Sequence, residues 1–283
     1  MRPRTLALIL VHMMLAVFAV ITLVPFAYMV AGSLKTNYDY AATLFLPTGH
    51  GLFGIGWDRL TLDNFRRLFT ELGVPRALLN SLFLASVQAT LTTLFCAMGG
   101  YALAKFDFRG RHFITSLVLA ALIIPGPLLL ASSFQLIYQL GLLNTYAGLI
   151  LPGLTPAFGV FLFRQAMLNG VPTELLEAAR MDGAGEARIF FELVLPLVRP
   201  MMGAYLMISF MGMWNNFIGP QIILQSPDLQ PLSVALNNLK GIYGADYGLI
   251  MAGTILSISP VMCLFLLLQR EFIAGLTGGA VKG

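Results

Sequence analysis

Leu6-Ala-Leu-Ile-Leu-Val-His-Met-Met-Leu-Ala-Val-Phe-Ala-Val-Ile-Thr-Leu-Val-Pro-Phe-Ala-Tyr-Met-Val30 runs for 25 residues without an Asp, Glu, Lys or Arg. A helix rises about 1.5 Å per residue and the hydrocarbon core of a bilayer is about 30 Å thick, so about 20 apolar residues cross it. The stretch therefore reads as a membrane span. Arg2 and Arg4 precede it, as they would a secretory leader, but a leader's apolar region is only about 7–15 residues long. An uncleaved span is expected, with His12 facing a neighbouring helix as a neutral imidazole.

Five further runs have the same character, at about 79–103, 113–137, 147–167, 201–224 and 247–268. The totals agree. Of 283 residues, 58% are hydrophobic and 11% charged, and mean hydropathy is +0.81. A soluble domain carries about 25% charged residues, so this chain cannot cover its surface in water. The expected fold is a single all-α integral-membrane domain of six transmembrane helices. Pro25, Pro125, Pro127, Pro152, Pro156, Pro220 and Pro260 fall inside the runs. Breaks in lipid survive only where protein or water satisfies the freed carbonyls, which predicts a bundle with bends.

The net charge is +4. A nucleic-acid partner would require clustered Lys and Arg, and the cations here sit mostly at the ends of apolar runs. With the N-terminus inside, eleven fall on the inner side and six on the outer, five of the six in the long segment from Lys35 to Arg76. That bias places both termini in the cytoplasm. Cys96 and Cys263 lie in apolar runs and read as core residues. The three histidines have no ligand spacing, so neither a metal nor a catalytic set is expected.

Two segments lie outside the spans, an outer one at about 36–77 and an inner one at about 169–200. The outer segment holds a helical candidate, Leu62 to Leu72, entered through Thr61. The inner one reads Val171-Pro-Thr-Glu-Leu-Leu-Glu-Ala-Ala-Arg-Met-Asp-Gly-Ala-Gly-Glu-Ala-Arg-Ile-Phe-Phe-Glu-Leu-Val-Leu-Pro196. Pro172 suits a helix's first turn, and Glu174 and Glu177 suit its positive end. Leu175, Leu176 and Ala179 form an apolar stripe. Gly183 and Gly185 break the helix and permit positive φ. A second amphipathic helix, about Glu186 to Val194, is expected to stop before Pro196. The result is a helix–turn–helix whose small turn residues allow another surface close to the backbone.

Glu177-Ala178-Ala179, Asp182-Gly183-Ala184, Phe191 and Leu195-Pro196 match in order the EAA signature of ABC importer permeases, with Val194 where Ile is common. Thr61-Leu-Asp-Asn-Phe65, Asn80-Ser-Leu82, Gly100 to Arg109, Trp214-Asn-Asn-Phe217 and Gln269-Arg-Glu-Phe272 extend the likeness over nearly the whole chain. The ending Gly275-Leu-Thr-Gly-Gly-Ala-Val-Lys-Gly283 resembles the MalG-like subunit of maltose-type carbohydrate importers. The resemblance implies a type I importer permease bundle in the cell's inner membrane. It implies a heterodimer with a homologous permease, a dimeric ABC ATPase below and an extracytoplasmic sugar-binding protein above. Glu177, Ala178, Ala179, Asp182, Gly183 and Ala184 would dock on the ATPase, and Ala280, Val281 and Lys282 in the cytoplasmic tail (about 270–283) would reach it. ATP and Mg would bind the ATPase, with no cofactor on this chain. The partner permease would make most sugar contacts.

The chain has no Gly-x-x-x-x-Gly-Lys-Ser/Thr run, so it cannot cradle ATP through that loop. Acidic residues inside spans mark ion routes, and their lack in the six runs weakens the rival reading, an ion-coupled secondary transporter without an ATPase. The polar candidates within a span are Asn215 and Asn216, which a helix from Pro200 would carry past the midplane. Their amides suit either sugar hydroxyls in a translocation path or a neighbouring helix. Trp214 suits either stacking on a sugar ring or packing.

Overall fold

A computed structural model describes residues 3–242 and 246–277. The chain is built of helices. Among the described residues there is no strand, only one antiparallel bridge between Thr48 and Ile55. Among the described residues three helices are long and apolar enough to cross a membrane, Leu8–Ser33, Val74–Lys105 and Tyr247–Leu267. Three bent pairs raise the count to six if each is one span. Arg111–Ala121 with Gly126–Gln139 turns by 101°, Tyr146–Gly153 with Ala157–Gly170 by 44°, and Glu186–Leu197 with Arg199–Trp214 by 84°. Pro125 and Pro127 stand at the first bend, and Pro152 and Pro156 at the second. Pro25 and Pro260 are absorbed inside continuous helices.

The expected span at 201–224 is corrected. Its helix ends at Trp214, and a short helix, Ile218–Ile223, follows. The cause is local chemistry. Asn215 Nδ2 bonds back to Met211 O, and Asn216 Oδ1 accepts from Gly219 N–H, so both side chains compete with the helix. Pro220 cannot donate to Asn216 O. Ser233 Oγ donates there instead, at 2.8 Å.

The chain divides into two compact units, Met1–Pro75 with Ala235–Pro260, and Arg76–Val234 with Val261–Gly283. In the first, Leu15, Phe18, Ile21 and Leu23 of the Pro3–Ser33 helix are more than half exposed, a surface that suits lipid and not water. His12 Nδ1 bonds Leu8 O on its own helix at 2.7 Å. Asn64, on the short helix Asp63–Thr70, donates to Ser33 O and Lys35 O and closes the end of the first helix. Thr61 Oγ1 accepts from Asp63 N–H at 3.0 Å, while the N-cap itself is Leu62. Lys35 is fully buried, with Nζ donating to Thr43 O at 2.9 Å. Burial pushes its pKa down, opposed by Asp39, which pairs with Arg59.

In the second unit, the Val74–Lys105 helix meets the Ala157–Gly170 helix through glycines. A Cβ on Gly100 would stand 2.6 Å from Phe163 Cβ and 2.7 Å from Arg164 N, and one on Gly159 would strike Tyr205 Oη. Small residues let helices approach closely in a membrane. Around the contact lies a core of Cys96, Tyr101, Val160, Phe163, Met167, Leu176, Ile189, Phe190, Val194 and Tyr205.

Candidate functional site

The loop at 171–198 is a helix–turn–helix fastened to that core. Its first helix, Thr173–Met181, follows Pro172, which is extended at the N-cap. Asp182 ends it and Gly183 takes φ +82°. Gly183 N–H donates to Arg180 O and Ala184 N–H to Ala179 O, both at 3.0 Å. These two bonds make a Schellman closure, in which a left-handed residue satisfies the last carbonyls. Ala179 and Ala184 both pack on the core, completing the closure's apolar contact. Gly185 differs from expectation. Its φ is −73° and it serves as the extended N-cap of the next helix. One left-handed residue is enough to turn the chain.

The second arm also differs. Helix Glu186–Arg188 passes into a π-helical turn, Ile189–Val194, and then into Leu195–Leu197. It therefore runs past Pro196. The wider turn takes up an extra residue, and Pro196 then falls in a first turn where no N–H is required.

Leu176, Ile189, Phe190 and Val194 are buried beneath the loop. Glu177, Ala178, Asp182 and Gly183 are exposed, while Ala179 and Ala184 are half-buried. Leu175, expected on the buried stripe, is instead 38% exposed. Met181 and Phe191 stand out as apolar knobs, 83% and 54% exposed. A Cβ on Gly183 would meet nothing within 4 Å among the described residues.

The two arms are joined by charge. Arg180 Nε donates to Glu186 Oε1 at 2.6 Å, and the buried Tyr101 Oη donates to Glu186 Oε2 at 3.1 Å. The Arg180 bond holds the Glu186 carboxyl below its usual range. Tyr101 belongs to the Val74–Lys105 helix, so the loop is tied directly to a membrane helix.

A second feature lies at the 44° bend. A cavity of about 300 Å³ is lined by Gln88, Thr92, Phe158, Tyr205, Ser209 and Asn216, with Gly153 and Pro156 of the bend. Thr92 Oγ1 donates to Gly153 O at 3.0 Å, satisfying a carbonyl that the bend releases.

The family model described as "Binding-protein-dependent transport system inner membrane component" matches residues 75–274, which include both features. The chain belongs to this family. This inner membrane component is 45% identical over 225 residues to the arabinooligosaccharides transport system permease protein AraQ of Halalkalibacterium halodurans, covering 79% of this chain and 80% of that one. It is 34% identical over 275 residues to the lactose transport system permease protein LacG of Rhizobium radiobacter, covering 97% of each. Its fold matches a solved bacterial ABC transporter involved in the import of the acidic polysaccharide alginate. There the TM-score is 0.79 and the identity 22%, over 96% of this chain and 98% of that one.

The structure thus brings Glu177 to Ala184 together on one turn of the permease. It separates Trp214, Asn215 and Asn216. Trp214 is buried and stacked on Phe210, with centroids 5.6 Å apart, which favours the packing role. Asn215 is exposed and bonds its own helix. Asn216 alone reaches the cavity. Ala280, Val281 and Lys282 lie outside the described residues. Among the described residues no group of three or more His, Cys, Asp or Glu could hold a metal.

Asn80 and Ser81 gain a role that sequence reasoning missed. Asn80 Nδ2 donates to Asp228 O and Gln230 O, Tyr146 Oη donates to Asn80 Oδ1, and Ser81 Oγ accepts from Leu232 N–H. Together they fasten the segment before the Leu232–Ile242 helix to the Val74–Lys105 helix. Gln88 was missed as well, being one amide in an apolar run.

Proposed function

We propose that this permease is one of two membrane subunits of an ATP-driven importer of neutral oligosaccharides, itself without enzymatic activity. The observation that carries this reading is the exposed Schellman turn tied to a membrane helix through Arg180, Glu186 and Tyr101. A surface that receives force from a soluble partner has to present small and charged groups outward. It must also be held rigidly to the element it moves. Glu177, Asp182 and the open space over Gly183 meet the first need, with Met181 and Phe191 as apolar anchors. The ion pair and the buried core meet the second.

In this account the loop is cytoplasmic and docks on an ATPase that holds ATP and Mg. The tail residues Ala280, Val281 and Lys282 approach the same ATPase, and both termini are inside. A homologous permease completes the path, and a binding protein delivers the sugar from outside. Closure of the ATPase on ATP moves the loop as a lever and switches the path from inward-open to outward-open. The names of the relatives, which specify arabinooligosaccharides and lactose, supply the substrate class.

The test uses the complex reconstituted in proteoliposomes with its partner permease, ATPase and binding protein. Gly183→Val forces a β-branched side chain into left-handed φ, which costs about 1–2 kcal/mol, and fills the docking space. Together with Glu177→Arg it is expected to lower sugar uptake per ATP hydrolysed by about tenfold or more. Gly183→Asn tolerates the left-handed backbone but still fills the space, so it uncouples to a similar degree if docking, and not backbone strain, is the cause. Wild-type coupling in all three variants contradicts the role. Uptake that continues without ATP and collapses with a protonophore replaces it with ion-coupled transport.

A further inference from the structure

We infer that the cavity between Gln88, Ser209 and Asn216 is a subsite on this chain for one ring of a neutral, polyhydroxylated ligand. This rests on the importer reading, and it assigns to this subunit a sugar contact that the resemblance leaves to its partner.

The first argument is depth. Gln88 lies about 21 Å from the Val74 end of its helix and about 25 Å from the Lys105 end. It is therefore near the middle of the span, where polar side chains are costly unless they serve a partner or a function. The second is the broken helix. Backbone that leaves helical geometry at membrane depth is found where it is buried or lines a cavity, and transporter sites form at such discontinuities. The bend between Gly153 and Ala157 is one of these, and Gly153 and Pro156 form part of the wall.

The third argument is an unmet hydrogen bond. Gln88 is only 8% exposed, and its Oε1 has no partner among the described residues. Its Nε2 is held by Thr92 Oγ1 at a long 3.3 Å. An unsatisfied buried acceptor costs about 1–3 kcal/mol. A sugar hydroxyl meets both halves of the amide, accepting from the nitrogen and donating to the oxygen after a small rotation of the carboxamide. Asn216 commits its Oδ1 to Gly219 N–H and so offers its NH₂. Ser209 adds a hydroxyl, and Phe158, half exposed, gives an apolar face for the C–H side of a ring.

The fourth is charge. The lining contains no Asp, Glu, Lys or Arg. A charged ligand would be desolvated there without compensation, whereas a neutral polyol exchanges water for amide and hydroxyl partners. The volume is at the small end for ligand sites, which begin at about 300 Å³, so it suits one ring of a longer ligand.

The test uses the complete transporter in proteoliposomes with arabinotriose and lactose as probes. Replacing Gln88 by Leu keeps the side chain's bulk and removes the amide. The Gln88→Leu complex is expected to import both probes about tenfold more slowly, the loss of one or two net hydrogen bonds. Ser209→Ala is expected to give a smaller fall in the same direction. A second measurement guards against misfolding. In a Cys263→Ser background, which leaves only the buried Cys96, a Ser209→Cys variant is labelled with N-ethylmaleimide. Arabinotriose delivered by the binding protein should slow that labelling. Uptake unchanged in both variants, or labelling indifferent to sugar while uptake proceeds, overturns the subsite and leaves the importer standing. A wild-type complex that imports neither probe with ATP overturns the importer reading, and the subsite falls with it.

Discussion

The Glu186 carboxylate accepts from Arg180 on one side of the turn and from Tyr101 in the membrane helix on the other. The Arg180 bond lowers its pKa from an ordinary value of about 4.5. A carboxylate so stabilised adds stability above its unfolded pKa and loses it as pH falls through the lower folded one. The pair is partly exposed, at 35% and 42%, so solvent screening keeps its worth below about 1 kcal/mol. The melting temperature of the detergent-solubilised protein should fall as pH drops below about 4.5, and Glu186→Gln should remove that part of the fall, about 3 °C at most. Identical acid profiles for the two proteins contradict the brace. Gly183 was legible in the sequence, because Asp-Gly after a helical stripe signals a left-handed close. Gly185 was misread, since only backbone hydrogen bonding decides which of two glycines turns. Asn64 and Asn80 had no legible role, because the carbonyls they bond lie on distant segments that no periodicity encodes.

At the scale of elements, close approach of the Val74–Lys105 and Ala157–Gly170 helices carries the loop's core. Gly100 faces backbone and Cβ atoms, which cannot swing aside. Gly100→Leu is expected to cost about 3 kcal/mol by overpacking and to loosen the loop above it, seen as faster proteolysis within 171–198. Unchanged protease resistance contradicts the tight crossing. Apolar runs revealed the spans because the bilayer fixes their length. The bends were legible only as prolines. Pro25 and Pro260 sit in unbroken helices, whereas Pro125 and Pro127 accompany a 101° turn. Neighbouring contacts decide between those outcomes. The break at Asn215 escaped notice because it depends on two asparagines, Pro220 and the distant Ser233 hydroxyl acting together. The Gln88 cavity escaped for the same reason, since its wall comes from three separate stretches of chain, 88–92, 149–158 and 205–216.

At the scale of the molecule, the long apolar helices call for lipid, and the exposed turn calls for a soluble partner. Composition alone revealed the first. The second rests on the proposed docking role of Glu177, Asp182, Gly183 and Phe191, whose order is plain in the sequence. In the proposed reading this permease works only with a second permease that completes its path and an ATPase that supplies its energy. The most direct measurement is affinity purification of the tagged chain from mild detergent, with co-purifying proteins identified by mass spectrometry. The account predicts recovery of a P-loop ATPase and a second multispan permease. Purification of the chain as a stable homo-oligomer with no ATPase would contradict it.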